Sequence, residues 1–87
     1  MADITLELYG IARKRAGAES VVVRARSLPE ALIALESAFP ALSGEVVRSG
    51  RLAPHWRASL DGTRFLAADE AIPPGSRVVI LSGLAGG

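Results

Sequence analysis

Residues 27–40 restrict the fold most, because they hold one bounded amphipathic helix among strand-like segments. Ser27 stands three residues before Glu30, the spacing of a capping box. In that motif the serine oxygen accepts an orphan backbone N–H and the glutamate reaches back. Pro29 is tolerated in a first turn, where N–H groups lack intrahelical partners in any case. Leu28, Ala31, Leu32, Leu35 and Phe39 recur at helical spacing and form one apolar stripe, with Glu36 and Ser37 off it. Pro40 stops the helix. A stripe this apolar needs a sheet to cover.

The flanking segments supply one. Ile4-Thr5-Leu6-Glu7-Leu8-Tyr9 alternates apolar with polar, as a half-buried strand does. Residues 11–17 read as a short basic helical turn. Ser20-Val21-Val22-Val23-Arg24 is a second strand, and Gly17-Ala18 suits a tight antiparallel connection to the first. Residues 41–54 show no sustained period and read as a loop with a turn at Glu45-Val46-Val47. His55–Leu60 and Thr63–Leu66 are strands joined at Asp61-Gly62, a pair suited to a turn with positive φ. Pro73-Pro74-Gly75 is a sharp turn, and Arg77-Val78-Val79-Ile80-Leu81 is the most strand-like segment. The order predicts an α+β fold: a mixed sheet of four to five strands with one main helix packed across it. Parallel pairing of the first and last strands at the centre makes it a β-grasp. The domain is residues 1–81, followed by a flexible tail, residues 82–87, ending in Gly-Gly.

Composition narrows the functions. The 87 residues leave room for one small domain and no large enclosed cleft. Ten basic against nine acidic residues give a formal charge of +1, which argues against nucleic acid as a partner. The absence of cysteine removes disulfides, thiolate metal sites and a thiol nucleophile together. His55 is the only histidine, so no metal site is expected. No apolar run approaches a membrane span, and the N-terminus does not read as a signal peptide. The expectation is a cytoplasmic protein with no membrane partner.

Chemistry-bearing motifs are scarce. No Gly-rich loop is followed by lysine, so the chain is not expected to bind ATP itself. Asp69-Glu70 reads as a solvated turn, and His55 beside Trp56 has no triad partner. The tail is the informative part. After Leu81 come Ser82-Gly83-Leu84-Ala85-Gly86-Gly87, three of the six being glycine. Fully extended, six residues reach about 20 Å. Without bulk at Cβ, such a segment can thread a channel too narrow for a side chain.

The sequence resembles the MoaD/ThiS family of ubiquitin-like sulfur carriers, the molybdopterin synthase small subunits in particular. Leu8-Tyr9-Gly10-Ile11-Ala12-Arg13-Lys14, followed by Gly17, is similar to the family's first strand and turn. Ser27-Leu28-Pro29-Glu30-Ala31-Leu32 resembles its helix start and Phe39-Pro40-Ala41-Leu42 its helix end. Asp61-Gly62, Pro74-Gly75-Ser76-Arg77-Val78 and the run Ile80–Gly87 match in the same order. Ser82-Gly83 stands where the small subunits tend to have Pro-Pro.

The resemblance implies a carrier or co-substrate, not an enzyme. A ubiquitin-activating-type adenylyltransferase would adenylate Gly87 with ATP, and a sulfur donor would convert the acyl-adenylate to a thiocarboxylate. A sulfur-accepting biosynthetic enzyme would then take the sulfur, in molybdenum cofactor synthesis first, or for cysteine, thiamin or tRNA thiolation. No cofactor is bound by the chain itself; ATP and the sulfur donor belong to the activating partner. Gly83, Leu84, Ala85 and Gly86 would thread the partner's channel. Phe65 and Leu81, with Leu84, are the candidates for partner binding on the outer sheet face. Two other readings use the same residues differently. One is a protein modifier joined to lysines through Gly87; the other is a β-grasp interaction module with an idle tail.

Overall fold

The computed structural model describes residues 2–82. In chain order these form β1 (Ala2–Leu8), α1 (Gly10–Ala16), β2 (Ser20–Ala25), α2 (Leu28–Ala38), a 3₁₀ turn (Pro40–Leu42), β3 (Val47–Arg48), β4 (Arg51–Leu52), β5 (Trp56–Leu60), β6 (Arg64–Phe65) and β7 (Arg77–Ser82). Five strands make one mixed sheet in the order β2-β1-β7-β5-β6. β1 and β7 pair in parallel at its centre, with Leu6 opposite Val78 and Leu8 opposite Ile80. β2 and β5 flank them antiparallel. This is the expected β-grasp.

The serine half of the expected capping box forms, while Glu30 reaches one residue farther back than the motif requires, to Arg26. Ser27 Oγ accepts from the Glu30 N–H at 3.4 Å, and the Glu30 carboxylate accepts from the Arg26 N–H at 2.8 Å. Another first-turn donor, the Leu28 N–H, reaches the Glu70 carbonyl at 2.9 Å, so the 67–72 loop closes over the helix start. Leu28, Ala31, Leu32 and Leu35 of α2 are buried against Ile4, Leu6, Leu8, Val78 and Ile80. Phe39 is only partly buried at the edge of this core.

Only one face of the sheet is covered. β1 alternates strictly between buried and half-exposed residues, so Thr5 and Glu7 point away from the core. A central strand buried on both faces would have no room for them.

Three local expectations need correction. Gly10–Ala16 is a complete helix, and Gly17 ends it with φ 72° and an N–H bond to the Arg13 carbonyl at 2.9 Å. Gly17 is thus a helix C-cap, not a hairpin turn, although β1 and β2 do pair antiparallel. Residues 41–54 are not a plain loop. They include the β3-β4 ribbon, and Val46 and Val47 at its start are fully buried. Finally, β7 extends through Ser82, which pairs with Trp56, one residue past the expected strand end.

Candidate functional site

The open sheet face is assembled by alternation along β5 and β7. Trp56, Ala58 and Leu60 pair with Ser82, Ile80 and Val78 and belong to the core side. Arg57 and Ser59 lie between them and pair with Leu81 and Val79. Ser59 also pairs with Phe65, and Val79 pairs with Glu7. Phe65, Ser59, Val79 and Glu7 therefore form one row across the open face. Arg57 and Leu81 begin the next row.

Phe65 is 51% exposed, and the Arg57 guanidinium lies 4.7 Å from its ring centroid. That distance is a cation–π contact. Ser59, beside Phe65, is 7% exposed although it lies on the open face. Leu81 is half-buried. Farther across, Glu7 lies 3.5 Å from Arg77 and accepts from the Tyr9 hydroxyl at 3.2 Å. The face combines the Phe65 ring of β6 and Val79 and Leu81 of β7 with the polar Arg57 and Ser59 of β5, and is charged toward β1 through Glu7 and Arg77. Of the residues expected to bind a partner, Phe65 and Leu81 share this face. Val79 and Arg57 belong with them and were missed; the alternation of β5 and β7 was the signal that placed them.

The site proposed on Gly83, Leu84, Ala85, Gly86 and Gly87 lies outside the described residues. Its root does not. Ser82 ends a strand held between β1 and β5, beside Leu81 and Arg57.

The remaining polar candidates are structural. Glu70 accepts from the Arg64 guanidinium and from the Ala67 N–H, and these bonds hold its carboxyl below the usual range. It fastens the 64–70 loop, so Asp69-Glu70 is more than a solvated turn. His55 is exposed and adopts φ 73° in the turn before β5. Among the described residues no group of three or more His, Cys, Asp and Glu could hold a metal ion. No helix among them is long and apolar enough to cross a membrane.

No family model matches the sequence, and no curated protein matches it. Solved structures do. SAMP1 from Haloferax volcanii is 27% identical with a TM-score of 0.84, over 99% of this chain and all of the other. The small archaeal modifier protein 1 from Methanosarcina acetivorans is 20% identical with a TM-score of 0.83, over 100% of this chain and 98% of the other. A chain of the Amycolatopsis orientalis BexX/CysO complex is 19% identical with a TM-score of 0.79, over 97% of this chain and all of the other. These neighbours share the β-grasp fold over essentially the whole chain. They agree with the resemblance to the MoaD/ThiS-like, ubiquitin-like carriers and modifiers.

Proposed function

We propose that this chain is a ubiquitin-like sulfur carrier that acts as a co-substrate through an activated carboxylate at Gly87. One observation carries the reading furthest. β7, which leads into Gly83-Leu84-Ala85-Gly86-Gly87, is a central strand paired on both sides, and its last residues lie beside the exposed Phe65 and Leu81 face. A partner that grips this face finds the start of the tail at a fixed position.

The chemistry asks little of the fold and much of the tail. A terminal carboxylate has a pKa of about 3.5 and is ionised at neutral pH, hence a poor electrophile. The adenylyltransferase partner transfers AMP from ATP to a Gly87 carboxylate oxygen and releases pyrophosphate. A sulfide equivalent from the donor attacks the carbonyl carbon, the C–S bond forms, the C–O bond to AMP breaks, and a thiocarboxylate results. The acceptor enzyme then takes the sulfur, with molybdopterin synthesis the favoured pathway and cysteine, thiamin or tRNA thiolation beside it. Glycine at 86 and 87 keeps Cβ atoms out of the channel. ATP and the sulfur donor are held by the partners and not by this chain.

A second reading has its own support, because the small archaeal modifier proteins are among the neighbours. In it, a lysine amine of a target attacks the same activated carbonyl. One experiment separates the two. The protein with its native C-terminus is incubated with lysate of its source organism, ATP and a sulfur source, and its intact mass is read. Replacement of one oxygen by sulfur at Gly87 supports the carrier. A ladder of conjugates through Gly87 supports the modifier. If neither forms, both fail and the interaction module stands.

A further inference from the structure

A groove beside the β5-β6 edge shares Arg57 and Phe65 with the open face but runs on from it toward Leu28 and Leu32 of α2. It has a volume of about 260 Å³ and is lined by Leu32, Leu52, Trp56, Phe65 and Leu66 together with the exposed Arg51 and Arg57. Its charge is unusual within this protein. Six of the nine arginines pair with a carboxylate: Arg13, Arg15, Arg24, Arg26, Arg64 and Arg77. Arg48 donates to the Gly44 carbonyl at 3.0 Å. Among the described residues Arg51 and Arg57 pair with no carboxylate, Arg57 being stacked on the Phe65 ring, and they share this groove. Asp69 follows the rim residue Ala68 but forms no ion pair with either arginine.

The backbone beside the groove is also unfinished. β6 pairs only with Ser59 and Leu60 of β5, and the Leu66 N–H adds one bond to the Ala58 carbonyl at 2.8 Å. On that side Trp56 and Arg57 have no neighbouring strand among the described residues, although the Trp56 N–H already donates to the Ala53 carbonyl at 3.1 Å. Apolar walls, two unneutralised guanidinium groups and an open strand edge define one kind of occupant. An extended peptide can lie along a strand edge and place alternate side chains in pockets. Carboxylates on such a peptide match arginine in charge and geometry.

We infer that this groove docks an acidic, extended segment of a partner protein, with an aliphatic side chain on the Leu52-Trp56 floor and carboxylates against Arg51 and Arg57. The inference is independent of chemistry at Gly87, since a chain never activated there keeps the same groove.

Trp56 is the only tryptophan, so its fluorescence reports this groove directly. The full-length protein is titrated with the peptide acetyl-Asp-Leu-Asp-Leu-Asp-amide and, separately, with its Lys-for-Asp counterpart. The acidic peptide is expected to shift Trp56 emission saturably below about 1 mM, the Lys peptide not. Raising the salt is expected to weaken binding, as exposed ion pairs are screened. Arg51→Glu is expected to weaken binding at least tenfold with an unchanged far-UV dichroism spectrum and Tm. Arg57→Glu provides the second, independent loss. No saturable shift, an equal response to the Lys peptide, or unchanged binding by both variants overturns the inference. So does an equal response to acetate or inorganic phosphate at the same concentration, which would make this a site for a free anion.

Discussion

Gly50 illustrates how closely single residues are held. It has φ 80°, and a Cβ placed there would meet Ile33 Cγ1 at 3.1 Å and the Pro29 carbonyl at 3.4 Å. Ser49 before it also has positive φ, 50°, so the two form the tight turn of the β3-β4 ribbon against α2. Left-handed backbone costs a non-glycine residue about 1–2 kcal/mol. Gly50→Ala is therefore expected to destabilise by about 1–2 kcal/mol, with Ile33 displaced as well. Urea denaturation checks it: the midpoint should fall with the slope unchanged. Phe65 is the opposite case. Half its surface faces solvent, so Phe65→Asp removes an apolar contact that folding uses little. The variant is expected to keep its Tm within a few degrees and to lose at least tenfold in affinity for the activating partner, measured by calorimetry. If it unfolds instead, Phe65 belongs to the core.

At the scale of elements, patterns of period and punctuation were readable and short pairings were not. The α2 stripe, the Asp61-Gly62 turn with φ 53° and 74°, and the apolar β7 all stand in the sequence and in the fold. The β3-β4 ribbon did not declare itself, because two-residue strands have no period to detect. Its only signal was Ser49-Gly50, a turn dipeptide. Gly17 misled for a related reason: a left-handed glycine serves a hairpin and a helix C-cap equally well, and only the length of α1 decides. On the open face, Phe65 and Leu81 could be nominated singly, but their row-mates needed the register. Ser27 gives a test of the α2 start. Ser27→Ala should cost about 1 kcal/mol, since the Glu30 N–H loses its acceptor. The midpoint of thermal unfolding measures it. Glu70 gives another, in the loop that closes over that start. Its folded pKa lies below the ordinary value because of Arg64 and the Ala67 N–H. Its contribution is therefore complete above about pH 4.3, the ordinary glutamate value, and is lost as pH falls through the lower folded value. Urea midpoints of the parent and Glu70→Gln should differ at pH 7, and the difference should shrink as the pH falls below the ordinary glutamate value.

At the scale of the molecule, stability and reactivity are assigned to separate parts. The core centres on Ile4, Leu6, Leu8, Leu32, Leu35, Val78 and Ile80 of the sheet and α2, and Ala12, Leu42, Val46, Val47 and Ile72 close its margins. β7 joins the two parts: Val78 and Ile80 point into the core, while Val79 and Leu81 lie on the open face proposed for docking. The proposed reactive residues follow that strand and lie outside the described residues. Terminal residues contribute little to stability in general. Removing Gly86-Gly87 is therefore expected to leave Tm unchanged while abolishing adenylation, read as ATP-dependent pyrophosphate release with the activating partner. Gly87→Ala tests the steric part alone. It keeps a terminal carboxylate with nearly the same pKa, so any loss of rate comes from the added Cβ. A rate at least tenfold lower than the parent's, with equal affinity for the partner, is the expected result. A parental rate would show that the channel has room for a methyl group, and the narrow-channel reason for glycine at this position would then fail, whatever the fate of the carrier itself.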